Sequence, residues 1–286
     1  MNLNFWLIQA FNGISYGALL FLVGSGLSLI FGVMRIVNLS HGSYFLLGGY
    51  VALTVIWTTG SWLLAIPVAA LAIALIGLAM ERVFLRPLGF DPLRQVLLTV
   101  GFAFLFQQAA LDIWTGNNFD ITPPEVLSQS IPIGGIYFPL YRAFMIAIAA
   151  AIGLVLWLVM EKTRIGAQVR ATVDDAQMAR GIGIDTSRIS MMIFSLGAFL
   201  AALGGVIGGA FLGIYPGLDF EMLPIAFAVV IIGGMGSLGG AAIGALLVGL
   251  ADNFGKALFP EISYFTLYAP MALILAIKPT GLFGRD

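Results

Sequence analysis

The feature that most constrains this sequence is a series of long runs that contain no Asp, Glu, Lys or Arg. A membrane-spanning helix needs about 20 mostly apolar residues. Runs near or above that length recur along the whole chain, at 1–34, 36–80, 95–111, 143–160, 189–218, 222–251 and 262–277. Two of them, the second and the sixth, are long enough to cross twice, with turns expected at 58–61 and 236–237. The sequence therefore predicts about eight membrane crossings, or nine if every candidate spans.

The composition supports a membrane protein and excludes several other classes. Only 9% of the residues are charged, against roughly 25% in an ordinary soluble domain, so a soluble fold could not cover its surface with polar groups. The formal net charge of -1 leaves no basic field for nucleic acid. The absence of cysteine excludes disulfides and thiolate metal sites. A membrane β-barrel would show short alternating segments instead, which leaves an all-α integral membrane protein with several crossings.

The basic residues predict which connections face the cytoplasm. Cytoplasmic loops are enriched in Lys and Arg, and ten of the thirteen basic residues fall in three segments. Those ten are Arg82, Arg86, Arg94, Lys162, Arg164, Arg170, Arg180, Arg188, Lys278 and Arg285. The 116–140 connection contains neither Lys nor Arg and is expected outside. The side of the N-terminus depends on whether the segment after Arg35 crosses fully.

The chain is expected to form one membrane domain over residues 1–286. The external connection is too short for a receptor domain, and the cytoplasmic segments are too short for an ATPase. A phosphate-binding loop of the form G-x-x-x-x-G-K-[ST] is also missing from the sequence. We therefore expect no bound cofactor and no ATP hydrolysis by this chain itself.

The longest cytoplasmic connection, at 161–188, contains a compact helix signal. Thr172 is a good N-cap, and Asp175 three residues later completes a capping-box pattern. Asp174 would then lie at the positive end of the helix and Arg180 at its negative end, with Gly181 in the left-handed position that ends it. A helix this short is not stable alone. Taken by itself, the segment is either a polar turn between membrane helices or a docking element for a partner.

A resemblance to a known family favours docking. The segment TRIGAQVRATVDDAQMARGIGID (163–185) resembles the coupling loop of the permease subunits of branched-chain amino acid ABC importers, and FLAALGGVIGG (199–209) follows it as the family's small-residue helix does. IVNLSHGSYFLLGGY (36–50) and IIGGMGSLGGAAIGALLVG (231–249) also match, in the family's order. The resemblance implies that 161–188 couples the membrane domain to an ATPase. The residues assigned to this coupling are Thr172, Asp174, Asp175, Ala176, Ala179, Arg180, Gly181, Gly183 and Asp185.

The family also implies partners and a location. Such permeases pair with a second, homologous permease in the bacterial inner membrane, where they are surrounded by lipid. Two cytoplasmic ATP-binding subunits hold ATP and Mg, and an extracytoplasmic solute-binding protein delivers the substrate. The expected substrate is a branched-chain (hydrophobic) amino acid, with urea, short amides or aromatic acids as the alternative.

Two glycine-rich interruptions are candidates for the translocation path or its gate. Unwound backbone inside a membrane is tolerated where it is buried in protein or lines a wet cavity, and paired interruptions are typical of transporter sites. The alternative is close helix packing, which small residues permit. The candidate residues are Asn38, Ser40, His41 and Gly42 in the first interruption, and Gly233, Gly234, Met235, Gly236 and Ser237 in the second.

For His41, the single histidine, we favour a hydrogen-bonded structural role, because a metal site would need further histidine or cysteine ligands.

Two other functional classes are less well supported. An ion-coupled secondary carrier or a channel would place acidic groups in mid-membrane, and the charge-free runs predict none well inside. An intramembrane enzyme has almost no residues from which to build a nucleophile and base.

Overall fold

The computed structural model describes residues 3–89, 91–133 and 135–284 of the chain, and it leaves out the side chains of Ile133 and Tyr264. Residue 285, one of the predicted cytoplasmic basic positions, lies outside the described residues. The described part contains eleven α-helices. In chain order they are α1 (Leu3–Met34), α2 (His41–Thr59), α3 (Trp62–Met80), α4 (Pro92–Trp114), α5 (Leu140–Lys162), α6 (Arg164–Asp174), α7 (Ala176–Gly181), α8 (Thr186–Leu212), α9 (Leu218–Gly233), α10 (Leu238–Leu258) and α11 (Ser263–Ile277).

The helices confirm an all-α membrane protein with about eight crossings. Six helical stretches in the described residues are long and apolar enough to span a membrane. They are Leu3–Met34, Trp62–Leu88, Pro92–Trp114, Leu140–Lys162, Thr186–Leu212 and Leu238–Leu258, where the second includes a helical extension of α3. Helices α2, α9 and α11 are shorter, at 19, 16 and 15 residues. Both expected turns are present, since α2 gives way to α3 at 60–61 and α9 to α10 at 234–237.

The turn between α2 and α3 shows why the second apolar run divides. Gly60 ends α2 in the left-handed conformation, with a φ of 69°, and its N–H donates to the Ile56 carbonyl at 2.8 Å. Ser61 then begins α3 by accepting a hydrogen bond from the N–H of Leu64 at 3.3 Å. A glycine after one helix and a serine before the next are the favoured cap residues, so the turn is encoded locally.

Contacts bring the segments that were predicted to be cytoplasmic to the same end of the bundle. The guanidinium of Arg35, just after α1, donates to the Val173 carbonyl in the basic segment at 3.4 Å. In the C-terminal tail, the N–H of Leu282 donates to the Ile232 carbonyl near the end of α9 at 3.0 Å. These segments were predicted to be cytoplasmic from their basic residues. Because α1 ends there, its first turn lies at the opposite end of the bundle, which the same distribution of basic residues predicts to be external.

The external connection contains structure that the sequence analysis did not anticipate. Residues Ser130–Ile133 (β1) and Ile136–Pro139 (β2) pair as an antiparallel hairpin, with Ile131 opposite Phe138. Phe119 forms a second, isolated bridge with Ile214, which lies in the connection between α8 and α9. The external segment is therefore tied to the α8–α9 connection by backbone hydrogen bonds of 2.9 and 2.7 Å.

Small residues of α8 let the central helices approach one another closely. A Cβ on Gly205 would meet the backbone carbonyl of Phe45 and would lie 3.0 Å from the Gly49 nitrogen. A Cβ on Gly204 would lie 2.9 Å from the Val23 side chain of α1. Close packing at small residues is a principal source of helix association in membranes, so these glycines serve the packing of α8 against α1 and α2.

Candidate functional site

The predicted coupling segment forms two helices, α6 and α7, and not one capped helix. Thr172 does not cap a helix, because it lies inside α6 and its hydroxyl donates to the Gln168 carbonyl at 2.8 Å. Asp174 is the last residue of α6 and directly precedes the cap of α7, so it lies outside the first turn in which it was predicted. The prediction of the cap was wrong because Thr and Asp both suit N-caps, and the earlier residues Arg164–Ala171 already continue a helix through Thr172.

Asp175 is the cap that begins α7. Its side-chain oxygen accepts the N–H groups of Gln177 at 2.8 Å and Met178 at 2.9 Å. The N–H groups of Met178 and then Gln177 stabilise the charged carboxylate, so they lower the pKa of Asp175 below its ordinary value. The side chain is exposed to solvent, and the positive end of α7 favours the same charge.

The end of α7 also differs by two residues from the prediction. Gly181 is the last residue of the helix, and it is Gly183 that takes the left-handed conformation, with a φ of 89°. The N–H of Gly183 donates to the Arg180 carbonyl at 3.0 Å. Asp185 then caps α8 by accepting the Arg188 N–H at 3.1 Å. The sequence correctly predicted a short helix that ends near a glycine, but it assigned the cap to Thr172 where the structure has Asp175, and the boundaries are shifted.

Two large apolar side chains that the sequence did not lead us to expect are exposed on α7 and directly after its last residue. Met178 is 66% exposed and Ile182 is 70% exposed. Ala179 and Thr172, both predicted to couple, are buried against the chain's own helices. The burial of Ala179 fixes the orientation of α7 and turns Met178 outward. An exposed apolar pair on a charged cytoplasmic segment is typical of a contact surface.

The predicted coupling segment is attached to the end of α1. Arg35 adopts a left-handed backbone with a φ of 54°, which is uncommon for a residue other than glycine. From this position its guanidinium reaches the Val173 carbonyl. A cavity of about 560 Å³ separates residues 172–177 from the start of α4 at Pro92. The segment is therefore linked to α1 and α8 while a gap divides it from α4.

The first glycine-rich interruption lies inside the membrane. His41, the first residue of α2, places its Nε2 atom 3.0 Å from the Val23 carbonyl of α1. Val23 precedes the end of α1 by eleven residues, which is about 16 Å of helix and half of a hydrocarbon core about 30 Å thick. Because a carbonyl only accepts, Nε2 carries the proton, as the structural role predicted for His41 requires.

Asn38 and Ser40 hold the turn that precedes α2. The Asn38 Oδ1 atom accepts the backbone N–H of Ser40 at 3.1 Å and its hydroxyl at 2.7 Å. Both side chains are buried. The Nδ2 atom of Asn38 and the Nδ1 atom of His41 have no hydrogen-bond partner among the described residues. This interruption therefore contains polar groups with unused hydrogen-bonding capacity in mid-membrane.

The second interruption is a turn at the cytoplasmic ends of α9 and α10. A Cβ on Gly236 would lie 3.0 Å from the Gly32 Cα atom of α1, and Ser28 donates to the Ser237 carbonyl at 3.2 Å. Gly32 is nine residues beyond Val23 along α1, or about 13 Å. The two interruptions are therefore at different depths and do not meet, contrary to what a paired translocation site would require.

The remaining residues of this turn have packing and capping contacts. Gly233 and Gly240 pack backbone to backbone. Gly234 adopts a φ of 100° and packs against Gly284 in the tail. The Ser237 hydroxyl accepts the Gly240 N–H at 3.0 Å as the N-cap of α10. Met235 is 47% exposed at the surface.

The start of α9 meets the first interruption instead. The hydroxyl of Ser43, in the first turn of α2, donates to the Asp219 carboxylate at 3.1 Å. The Asp219 backbone lies against Gly42, where a Cβ would come within 3.1 Å of the Asp219 carbonyl carbon and of the Leu223 Cβ atom. Asp219 was missed because it separates two predicted apolar runs and therefore seemed to mark a surface connection.

Asp219 also corrects the prediction that no acidic group lies well inside the membrane domain. It is 2% exposed. Glu81, in the extension of α3, and Asp252, on α10, are buried as well. Asp252 is paired with Lys256 at 2.8 Å, whereas none of the described Lys and Arg residues forms an ion pair with Asp219 or Glu81. No cluster of three or more metal-ligating side chains is present in the described ranges.

The fold and the cytoplasmic helix pair together define a multi-pass membrane transport subunit. The chain belongs to the family described as branched-chain amino acid transport system / permease component, whose model matches residues 9–275. This finding confirms the resemblance predicted from the three motifs, and it supports a location in the inner membrane.

Named relatives cover nearly the whole chain. The high-affinity branched-chain amino acid transport system permease protein LivH of Escherichia coli (strain K12) is 30% identical over 98% of this chain and 96% of its own length. The corresponding permease protein BraD of Pseudomonas aeruginosa is 28% identical with the same coverage of both chains. A probable LivH of Methanocaldococcus jannaschii is 26% identical over 96% of this chain and 91% of its own length.

Proposed function

We propose that this chain is the permease subunit of an ABC importer and forms the membrane path for branched-chain amino acids. It works with a second, homologous permease, with two cytoplasmic subunits that bind ATP and Mg, and with an external solute-binding protein. The chain itself performs no catalysis. The observation that carries the proposal is the exposed, capped helix α7 on the cytoplasmic face of a chain of this family.

The contacts of α7 are suited to transmitting motion. Met178 and Ile182 are exposed in the chain, so a groove on an ATPase can enclose them without disturbing the fold. Behind them, α6 and α8 connect α7 to the membrane helices, and Arg35 connects it to α1. Closure of the ATP-bound subunits would then rock the membrane helices as bodies, which is a recognised form of two-state switching.

Uptake of labelled leucine tests the function as a whole. The assay compares a strain in which this gene is deleted with the same strain carrying the restored gene, each with and without ATP depletion. We expect uptake to be lost on deletion, recovered on restoration and abolished by ATP depletion. Unchanged leucine uptake would reject branched-chain amino acids as the substrate, and labelled urea, short amides and aromatic acids would be tested in the same strains.

Replacement of the exposed apolar pair tests coupling. Burial of a Met or Ile side chain contributes about 1.5–3 kcal/mol, so Met178→Asp together with Ile182→Asp should weaken the ATPase contact by tenfold or more. We expect membrane insertion to be retained while co-purification of the ATPase and leucine uptake are lost. The matched control is Met178→Leu, which conserves volume and polarity and should transport normally. Normal transport by the double Asp variant would refute the coupling role of α7.

A further inference from the structure

Two helices begin inside the membrane and their first turns meet at one buried carboxylate. Helix α2 begins at His41 and α9 begins at Leu218. Asp219, in the first turn of α9, is joined to the first turn of α2 by the hydrogen bond from Ser43. His41 places this junction about 16 Å from the cytoplasmic end of α1. The contact therefore lies near the middle of the membrane and not at its surface.

The carboxylate has unused hydrogen-bonding capacity. Its Oδ2 atom accepts from Ser43, but its buried Oδ1 atom has no hydrogen-bond partner among the described residues. Backbone N–H groups of the first turn of α9 interact with the carboxylate, and the described basic side chains form no ion pair with it. A buried acid without a cationic partner is costly, and ionisable groups inside membrane domains commonly mark the path of a substrate or ion.

A second polar group without a partner lies on α2, the helix that carries Ser43. The buried hydroxyl of Tyr50 has no hydrogen-bond partner in the described part of the chain. It is within electrostatic range of Asp219. The Tyr50 ring stacks on Trp114 with the ring centres 5.0 Å apart and meets the edge of Phe119 at 6.4 Å. The region thus contains two buried oxygen atoms that can accept a hydrogen bond, Asp219 Oδ1 and the Tyr50 hydroxyl, and the Tyr50 ring belongs to an aromatic cluster.

We propose that Asp219 binds the α-ammonium group of the transported amino acid, with the Tyr50 hydroxyl as a second acceptor and the neighbouring aromatic rings against its aliphatic side chain. An ammonium group donates three hydrogen bonds and supplies the positive charge that the Asp219 carboxylate lacks. In the present conformation Ser43 closes the site. Separation of the first turns of α2 and α9 exposes the carboxylate to the path. This inference rests on the proposed import of amino acids.

The test uses the complete transporter in proteoliposomes with leucine-loaded binding protein, and it measures both leucine uptake and ATP hydrolysis. Asp219→Asn keeps the shape and can still accept from Ser43, but it removes the charge. Loss of a charge-assisted hydrogen bond predicts roughly a 10- to 100-fold fall in uptake. Hydrolysis of ATP stimulated by the loaded binding protein should change less than about twofold, so fewer leucine molecules are moved per ATP. General damage to the fold would reduce both activities together.

Glu81→Gln is the matched control. Glu81 is as buried as Asp219 and also has a carboxylate oxygen without a partner, but it lies in the extension of α3. We expect this variant to move as many leucine molecules per ATP hydrolysed as the wild type does.

Three results would overturn the inference. The first is normal leucine uptake by Asp219→Asn, and the second is an equal fall in leucine uptake in Asp219→Asn and Glu81→Gln. The third is leucine uptake that requires sodium, which would assign the carboxylate to an inorganic cation. Failure of the wild-type complex to move leucine would instead reject the proposed function, so the two failures are distinguishable.

Discussion

A single methyl group added at Gly42 should test whether the first turns of α2 and α9 are in closed contact. The Cβ of Gly42→Ala would lie 3.1 Å from both the Asp219 carbonyl carbon and the Leu223 Cβ atom, and closer still to the Asp219 carbonyl oxygen. Ordinary van der Waals contact begins at 3.4 Å. The nearest atoms belong to the backbone of α9, which cannot adopt another rotamer as a side chain can. Helix α9 must therefore move away from α2.

The expected loss of stability follows from these contacts. Overpacking of a closed core costs about 1–3 kcal/mol, and a backbone obstacle favours the upper end of this range. Replacing glycine by alanine in a helix returns at most about 1 kcal/mol. The net destabilisation is therefore about 2 kcal/mol. At roughly 2–4 °C per kcal/mol, the unfolding midpoint should fall by about 4–8 °C.

Thermal unfolding of the purified chain in detergent, followed by tryptophan fluorescence, measures this change. Gly239→Ala is the control, because Gly239 lies in the first turn of α10 and a Cβ there would meet nothing within 4 Å. The control should unfold at or slightly above the wild-type temperature. An unchanged midpoint for Gly42→Ala would refute the conclusion that the two helix starts are packed against each other.

Two further predictions concern caps. The pKa of Asp175 is lowered by the N–H groups of Met178 and Gln177, so the stabilisation of α7 by this charge is present above the ordinary carboxyl pKa and is lost only as the pH falls through the lowered value. Uptake by Asp175→Asn should therefore follow the wild-type pH profile from neutral into mild acid. Asp175→Ala, which removes the cap, should reduce uptake throughout this range. A loss of uptake in mild acid that the wild type shows and Asp175→Asn does not would contradict this prediction. Loss of the α10 cap in Ser237→Ala should lower the stability by about 1 kcal/mol, or the unfolding midpoint by roughly 2–4 °C. Ser237→Asp should restore the midpoint, and both variants should show normal uptake per folded molecule. Lost uptake at unchanged stability would instead place Ser237 in the translocation path.

The membrane helices were predictable because their signal is local and strong. A charge-free run of about 20 residues has few alternatives in a chain with this composition, and the residues that divide the double runs are good caps. Gly60 and Ser61 end one helix and begin the next through contacts within four residues of themselves. The sequence contains all the information that such a turn requires.

The boundaries of the coupling helices were less predictable, because neighbouring residues offered equivalent signals. Thr172, Asp174 and Asp175 are all suitable caps, and the choice among them depends on where α6 ends. That end is fixed by tertiary contacts, since α6 buries Val169 and Thr172 against the membrane helices. The apolar residues Met178 and Ile182 carried a signal that was available from sequence, because large apolar side chains in a charged segment call for an explanation.

The pairing of α2 with α9 could not be predicted, because it joins residues 176 positions apart. The dipoles of the two helices explain how this acid can be buried without a lysine or arginine beside it. Each helix start contributes about half a positive charge, which partly offsets the negative charge of Asp219. The N–H groups of these first turns already donate within their own helix starts; Phe220, for example, donates to the Gly217 carbonyl at 3.0 Å. The Asp219 Oδ1 atom therefore still lacks a donor among the described residues, and a substrate ammonium, which has three N–H donors, would supply one.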